Sequence, residues 1–350
     1  MARSLGFSNR ATFRGTACLM KREDFIALAL GLIAAVAFVS ATAGPLPMRL
    51  ILFLITPLPL ALAGLGWGVR AALVAGLAGS ILLAAAGPMV AAVFIVSQAL
   101  PAAVLTYLAL LNRPAAAADE DLDAPEIAPR APAAREWYPP GRLVVWAAIM
   151  AAVPAVIWSL LADANSAEIK SMLATALDAA FKAGAVEAPG GGQWTPEAIA
   201  RVSAVIYAVL PGGSAIAWMS GLLLALWLAG RVMLASGQLM RPWPDLARLE
   251  FPAGTALAFV AVALAAFVEG YIGIAGRAFF GALLLAYLLM GLAVIHFITR
   301  GSAARPFMLG VLYTALLFAS GLAAIPVALI GLSEPFLHLR RRFGQPPGST

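Results

Sequence analysis

The chain has 350 residues, of which 62% are apolar and 11% charged, and its mean hydropathy is +0.92. Soluble domains carry about 45–50% apolar and about 25% charged residues, so this composition excludes a soluble globular protein. The net charge of +6 comes without a basic helix face or an aromatic-basic module, which argues against nucleic-acid binding. Cys18 is the single cysteine, and His296 and His338 lack the several nearby carboxylates that a metal site would need, so we expect no disulfide, metal site or cofactor.

The apolar residues are gathered into blocks long enough to cross a bilayer. A helix needs about 20 apolar residues for a hydrocarbon core about 30 Å thick, and unbroken apolar runs exclude the alternating pattern of a barrel. The sequence therefore predicts an all-α, polytopic transmembrane helical bundle with about eight (eight or nine) transmembrane helices and one amphipathic surface helix. The candidate blocks are 25–43, 50–68, 71–87, 89–111, 143–162, 201–230, 254–273, 278–299 and 307–332.

Residues 1–22 form a basic N-terminal segment in which Met20-Lys21-Arg22 resembles the start of a membrane protein. We interpret the preceding 19 residues as an over-extended start. The segment also resembles a signal peptide that would be cleaved after Ala41-Thr42-Ala43. Because the apolar run is of spanning length and more spans follow, we favour a retained first helix.

The blocks form two groups of transmembrane helices, 23–111 and 143–332, joined by the loop 112–142. This loop is rich in alanine, proline and acidic residues, including Asp119-Glu120-Asp121, which is typical of a disordered linker; a docking segment is the alternative. Basic residues at the block ends place both termini, including the tail 333–350, on the cytoplasmic side of an inner membrane.

The tail creates a conflict in orientation. Nine complete crossings would place Arg340-Arg341-Arg342 outside, against the positive-inside bias. Either one block is an incomplete crossing or the tail breaks the rule; we expect an incomplete crossing, and the weakest blocks are 71–87 and 307–332.

The insert 163–200 contains a periodic apolar pattern. This spacing predicts an amphipathic helix over about 165–185 that lies on the bilayer surface or covers the outer mouth of the bundle. Asn165 with Glu168 resembles a capping box, and Gly184 marks an end. The apolar positions are Ile169, Met172, Leu173, Ala176, Leu177, Ala180 and Phe181.

The next helix is expected to begin with Thr195 as N-cap and Pro196 as its first residue. A straight helix from 196 to 231 would be about 50 Å long, which is too long for one crossing. Pro211-Gly212-Gly213 is therefore predicted to break it.

Few polar residues fall inside the apolar blocks, and each is a candidate because burying it in lipid is costly. The Gln98 amide could bind a polar ligand or a neighbouring helix backbone. Glu269 could pair with Arg277 or contact a ligand. His296 is expected at the interface, about 25 Å from Glu269 on an adjacent antiparallel helix.

Proline kinks at Pro57, Pro59, Pro101 and Pro211-Gly212-Gly213 could frame a solute cavity, because they free backbone groups; ordinary kinks are the alternative. No nucleophile elbow, HExxH or phosphate-binding GxxxxGK[ST] is present, so the chain is not expected to be an enzyme. Any use of ATP would depend on a partner.

The run from Leu226 to Leu246 is the most distinctive stretch. Its tryptophans suit the membrane interface and its arginines suit lipid phosphates, which indicates a rigid interfacial loop or a partner-docking site. Arg241 could stack on Trp243. The partner-interface candidates are Arg231, Arg241, Trp243 and Asp245.

This run, together with Leu339-Arg340-Arg341-Arg342, resembles the YybS-like family of bacterial membrane proteins, a domain of unknown function, in its alphaproteobacterial branch. The family is similar in architecture to the S components of energy-coupling-factor transporters. These components bind vitamins or metal ions and use a transmembrane scaffold and ATPases. The resemblance implies that an ATPase–scaffold module is a partner and that an alanine-rich first helix contacts it. The matching small residues are Ala27, Gly31 and Ala35.

The sequence thus favours an inner-membrane protein that binds or transports a small solute through an outward-facing cavity capped by residues 165–185. The alternative is a non-transporting scaffold that acts on other membrane proteins through its cytoplasmic loops. The ligand-binding candidates are Gln98, Glu269, Pro211, Gly212 and Gly213.

Overall fold

A computed structural model describes residues 21–114, 135–163, 166–182, 194–319 and 321–343. The described chain is helical apart from turns, connecting segments and one two-stranded ladder. The helices are α1 (Arg22–Ser40), α2 (Leu46–Ile55), α3 (Pro57–Trp67), α4 (Val69–Ala86), α5 (Pro88–Phe94), α6 (Leu100–Leu110), α7 (Pro140–Asp163), α8 (Ser166–Lys182), α9 (Pro196–Ala235), α10 (Thr255–Ala265), α11 (Gly270–Ile298), α12 (Arg305–Phe318), α13 (Gly321–Leu337) and α14 (Leu339–Phe343). The strands are β1 (Asn112–Pro114) and β2 (Arg135–Trp137).

Seven stretches of the described chain are helical, long and apolar enough to cross a membrane. They confirm the predicted all-α polytopic bundle, and the block at 71–87 is the full-length helix α4. The seven are Arg22–Ser40, Pro47–Trp67, Val69–Ala86, Pro88–Leu110, Pro140–Leu161, Pro196–Ala235 and Gly270–Ile298.

Two predicted blocks are divided into shorter helices. The block at 254–273 contains α10, which has 11 residues, and the start of α11 at Gly270, whose φ of 71° turns the chain. At 1.5 Å per residue α10 is about 16 Å long, well short of a hydrocarbon core of about 30 Å. The block at 307–332 is likewise divided into α12 and α13.

The basic residues at the ends of several helices lie at one end of the bundle, which we call the basic end and define by Arg231, Arg241, Arg300 and Arg340. Arg340 of α14 donates a hydrogen bond of 2.7 Å to the Leu249 carbonyl oxygen, in the segment that follows α9. The same segment binds Arg300 after α11. The basic tail therefore lies with the other basic helix ends, as the predicted orientation requires.

Helix α9 corrects one prediction, because it continues through Pro211-Gly212-Gly213 as a single helix of 40 residues. Gly212 is a packing residue, since a Cβ atom there would lie 2.8 Å from the Arg277 carbonyl oxygen of α11. A Cβ atom on Gly281 would clash with the Gly212 backbone in turn. The two glycines let α9 and α11 approach closely, which offsets the cost of a proline inside the helix.

The small-residue face of α1 packs inside this chain. Ala27, Gly31 and Ala35 are buried against α4, where a Cβ atom on Gly79 would lie 2.8 Å from the Gly31 carbonyl oxygen. Arg70 of α4 also forms an ion pair of 3.0 Å with Asp24 of α1. This face is therefore occupied within the chain and is not free to contact a separate scaffold.

Helix α8 matches the predicted amphipathic helix, while Asn165 and Gly184 lie outside the described residues. Its partly buried side packs on α9, and Lys170 Nζ lies 4.7 Å from the centre of the Tyr207 ring. Thr195 caps α9 as predicted, since its hydroxyl accepts a 3.2 Å hydrogen bond from the Ala198 amide.

Strands β1 and β2 pair in antiparallel register at the two ends of the loop 112–142, with Arg113 opposite Glu136. The Arg113 guanidinium donates a 2.7 Å hydrogen bond to Glu136, which lowers the pKa of that carboxyl. Asp119-Glu120-Asp121 lies outside the described residues, so the disordered linker stays a prediction.

Candidate functional site: an apolar groove with a cationic mouth

A cavity of about 1090 Å³, which we call the groove, lies between α9 and α11 at the basic end. It reaches the size of typical small-molecule pockets, about 300–1,000 Å³. Its interior is formed largely by leucines, and its mouth by arginine, histidine and aromatic side chains. The apolar lining includes Leu65, Leu143, Leu223, Leu226, Leu239, Leu285, Leu289 and Leu292. The mouth comprises Trp227, Arg231, Arg241, Trp243, Asp245, His296, Arg300, Arg305 and Tyr313.

Asp245 fixes one side of the mouth. Its two carboxylate oxygens accept hydrogen bonds of 2.6 and 3.0 Å from Arg300 at the end of α11. The Arg300 hydrogen bond is the main reason that the pKa of the Asp245 carboxyl is lowered. Asp245 also accepts a 3.2 Å hydrogen bond from the Ala247 amide and so caps the 3₁₀ turn Leu246–Arg248.

Arg241 joins the mouth to the neighbouring helix end. It donates a 2.8 Å hydrogen bond to the Ala109 carbonyl oxygen, one of the carbonyls that the end of α6 leaves free. Burial lowers the pKa of this guanidinium, which still stays charged. Its Nε atom is buried and has no hydrogen-bond partner among the described residues.

The predicted stacking of Arg241 on Trp243 is wrong. Arg231, four residues from Trp227 on α9, lies over the Trp243 ring at 5.4 Å, and Arg241 faces Trp137 at 5.8 Å. The Trp243 ring lies against α9 at Gly230, where a Cβ atom would approach it to 3.0 Å. The ring therefore closes one wall of the groove.

His296 and Tyr313 form the opposite side of the mouth. His296 Nδ1 lies 2.9 Å from the Leu292 carbonyl oxygen, which can only accept, so Nδ1 carries the proton. In the neutral ring Nε2 is then the acceptor for the Tyr313 hydroxyl, which donates across 3.3 Å. The pair joins α12 to the last turn of α11.

The mouth carries an excess of positive charge. Four arginines and one aspartate line the cavity, so its formal charge is three positive with His296 neutral. Arg231 and Arg305 form no ion pair with any carboxylate in the described chain. Their guanidinium groups are therefore free to bind an anion.

The residues predicted to bind a ligand lie elsewhere. Gln98 is 1% exposed and lies in a π-helical turn, Ile95–Ala99, where its Nε2 atom and the Ser97 hydroxyl lack hydrogen-bond partners in the described structure. Pro101 follows that turn as the second residue of α6. Neither the kink prolines nor Gly212 and Gly213 line the cavity, which also lies away from α8.

Glu269 also lies away from the groove. It is the exposed N-cap of α11, and Arg277 forms no ion pair with it but donates a 3.2 Å hydrogen bond to the Ala266 carbonyl oxygen. Glu269 and His296 occupy opposite ends of the same helix, about 40 Å apart, and not adjacent helices. The expected placement on two adjacent antiparallel helices, about 25 Å apart, was wrong because α10 ends at Ala265, before Glu269.

All four partner-interface candidates line the groove, where the sequence had suggested a docking loop. Four further residues line the groove: His296, which the sequence places at the membrane interface, and Arg300, Arg305 and Tyr313, for which the sequence predicts no ligand-binding role. In the sequence, Arg300 and Arg305 follow an apolar block and fit the positive-inside bias, which by itself indicates no binding site. The sequence shows an acid at Asp245 and a cation just beyond α11 at Arg300, but no local pattern indicates that these two side chains meet.

Among the described residues, no three histidine, cysteine or acidic side chains are grouped as metal ligands would be. Comparison with models of known families, with curated proteins and with solved structures finds no match for this chain.

Proposed function

We propose that this polytopic membrane protein binds a small solute in the groove between α9 and α11, as a substrate-binding membrane component does. The cavity of about 1090 Å³ at the basic end carries the proposal. A mostly apolar pocket with a few convergent polar groups is the general form of a small-molecule site.

The wall of the groove is held by contacts that do not need a ligand. The Arg300–Asp245 pair, the Arg241 bond to Ala109 and the ring of Trp243 against Gly230 fix three sides. A preformed site loses less free energy on binding, because fewer side chains must be ordered. These contacts support a binding site over a loop that is shaped only by a partner.

The test narrows the groove with a bulky substitution and measures which small molecules stay bound to the purified protein. Leu289→Trp places a larger side chain in the lining, and Leu257→Trp on α10 is the matched control, because Leu257 is 74% exposed and outside the groove. Small molecules extracted from each purified protein are identified by mass spectrometry. We expect Leu289→Trp to lose a species that the wild type and Leu257→Trp both retain. Equal retention in all three would overturn the proposal.

Co-purification distinguishes how the bound solute is used. Recovery of an ATPase pair with a helical scaffold subunit would make the protein a component of an energised transporter. Recovery of other membrane proteins without an ATPase, together with unchanged solute retention in Leu289→Trp, would favour the scaffold alternative.

A further inference from the structure

We infer that the occupant of this groove is a membrane lipid with an anionic, phosphate-bearing headgroup. This inference rests on the proposed function and adds the chemical class of the ligand. The headgroup lies between Arg231 and Arg305, and an acyl chain runs along the leucines between α9 and α11.

The charge of the mouth selects the headgroup. Asp245 is already bound by Arg300, so it is not available to Arg231 or Arg305, and the mouth keeps its positive excess. Guanidinium groups bind phosphate oxygens through paired N–H donors. A zwitterionic headgroup would bring a second cation into the same space, which these arginines repel.

The length of the groove fits a lipid in one leaflet. Along α11 the lining extends from Arg300 to Leu285, about 22 Å at 1.5 Å per residue. Half of a hydrocarbon core is about 15 Å thick, and the headgroup layer adds several ångström. The cationic residues therefore lie at headgroup level and the leucines at chain level.

The groove also opens toward the bilayer. Leu224 and Trp227 of the spanning helix α9 line it and are 44% and 45% exposed. In a membrane, exposed apolar side chains of a spanning helix contact lipid chains, so a lipid can enter sideways without crossing water. A small water-soluble anion would leave the leucine-lined part of the cavity without a partner.

The experiment uses the full chain in phosphatidylcholine vesicles and measures quenching of tryptophan fluorescence by brominated lipids. Brominated phosphatidylglycerol is compared with brominated phosphatidylcholine of the same chains. The chain has eight tryptophans, so the Trp227 contribution is obtained by subtracting the signal of Trp227→Phe. Trp158 of α7 is 61% exposed and outside the groove, and its contribution, obtained from Trp158→Phe, reports the ordinary surrounding lipid.

We expect brominated phosphatidylglycerol to quench Trp227 at a lower mole fraction than brominated phosphatidylcholine, while Trp158 shows no preference. Arg231→Gln and Arg305→Gln should each weaken that preference about fivefold, since one basic residue near an anionic surface contributes about that factor. Arg142→Gln is the matched control, because Arg142 is exposed at the start of α7 and outside the groove. It should leave the preference unchanged.

Three results would overturn the inference. Equal quenching of Trp227 by both lipids, unaltered in Arg231→Gln, would mean that charge does not select the occupant. Recovery of Trp227 fluorescence on adding inorganic phosphate at constant ionic strength would indicate a free anion. An equal preference at Trp158 would indicate ordinary surrounding lipid. In each case, loss of the retained species in Leu289→Trp would still leave the proposed function standing, whereas unchanged retention would remove both.

Discussion

Arg340 holds the C-terminal helix against the bundle through three contacts. Its guanidinium donates to the Leu249 carbonyl oxygen at 2.7 Å and to Met290 Sδ at 3.2 Å, and it lies 3.7 Å from the Glu334 carboxylate. Burial is the main cause that lowers its pKa, and the charge of Glu334 opposes that effect. The Arg340 side chain is 8% exposed and that of Glu334 14%, and separating such a largely desolvated pair is costly.

Arg340→Ala should therefore lower the free energy of unfolding by about 3 kcal/mol, because it leaves the mostly buried Glu334 carboxylate without its partner. Arg341→Ala is the matched control, since Arg341 is exposed and should change stability by less than about 0.5 kcal/mol. Denaturant titration of the purified proteins in detergent measures the free energy of unfolding of both variants. Similar values for the two variants would contradict the contacts described for Arg340.

The Asp245–Arg300 pair gives a pH dependence with a defined sign. The pKa of the Asp245 carboxyl is lower in the folded protein than its ordinary value of about 4, so the pair stabilises the fold above that pH. The stabilisation is lost as the pH falls through the lowered pKa. Both side chains are about 40% exposed, so the contribution is about 0.2–1 kcal/mol.

Asp245→Asn should accordingly be less stable than the wild type at pH 7, and the difference should shrink below about pH 4. Thermal unfolding at a series of pH values measures it. Glu197→Gln, at the exposed start of α9, is the control for loss of an acidic charge. A difference between wild type and Asp245→Asn that stayed constant with pH would exclude the pair as its cause.

Single residues were only partly predictable from the sequence. The run from Leu226 to Leu246 could be recognised from its arginines and tryptophans, which suit an interface. The partners of these side chains could not be predicted, because Asp245 and Arg300 are 55 positions apart and Arg241 binds a carbonyl oxygen 132 positions away. Such partners depend on how α6, α9 and α11 pack, and no local pattern encodes that.

Among the elements, α9 shows why a proline-glycine run is an ambiguous signal. Pro211-Gly212-Gly213 is typical of a break, yet here the glycines provide close packing at Gly212 and open space at Gly213. Whether such a run breaks the helix or packs closely depends on the neighbouring helix α11, and the local sequence does not show where that helix lies.

Gly212→Ala should destabilise the bundle by about 1–3 kcal/mol, since the new Cβ atom would lie 2.8 Å from the Arg277 carbonyl oxygen. Gly213→Ala is a control one residue away, where no atom lies within 4 Å of the added Cβ. It should be neutral or stabilise α9 by up to about 1 kcal/mol, because alanine favours a helix. Comparable effects of the two substitutions on thermal unfolding would argue that the run does act as a hinge.

Spanning elements were predicted well where the apolar block is long, as for α1 and α7. The short block 71–87 was wrongly ranked among the weakest, since it is the candidate spanning helix α4. The prediction failed for 254–273 because hydropathy records where apolar residues are and not where the helix turns. Gly270 with its positive φ separates α10 from α11 inside an apolar stretch.

At the scale of the molecule, α1 begins and α14 ends at the basic end. Arg70 binds Asp24 near the start of α1, and Gly66 lies against Met233 near the end of α9, which places these helix ends together. The charge distribution predicts that this end faces the cytoplasm.

Single cysteines in a Cys18→Ser background test that orientation. Ser236→Cys and Phe343→Cys, both exposed at the basic end, should be protected from a membrane-impermeant maleimide in intact cells. Thr42→Cys, in the exposed turn after α1, should react. Labelling of Phe343→Cys but not Ser236→Cys would contradict the placement of both residues on the same side of the membrane. Labelling of both, with Thr42→Cys protected, would place the basic end outside the cell.

The ladder of β1 and β2 has a practical consequence for handling this protein. Its paired residues hold the chain ends at 114 and 135 about 5 Å apart, whatever the length of chain between them. A fluorescent or affinity domain whose own termini lie close together could therefore be inserted there without separating α6 from α7. Such a fusion would report expression and assembly while leaving both the groove and the C-terminal helix untagged.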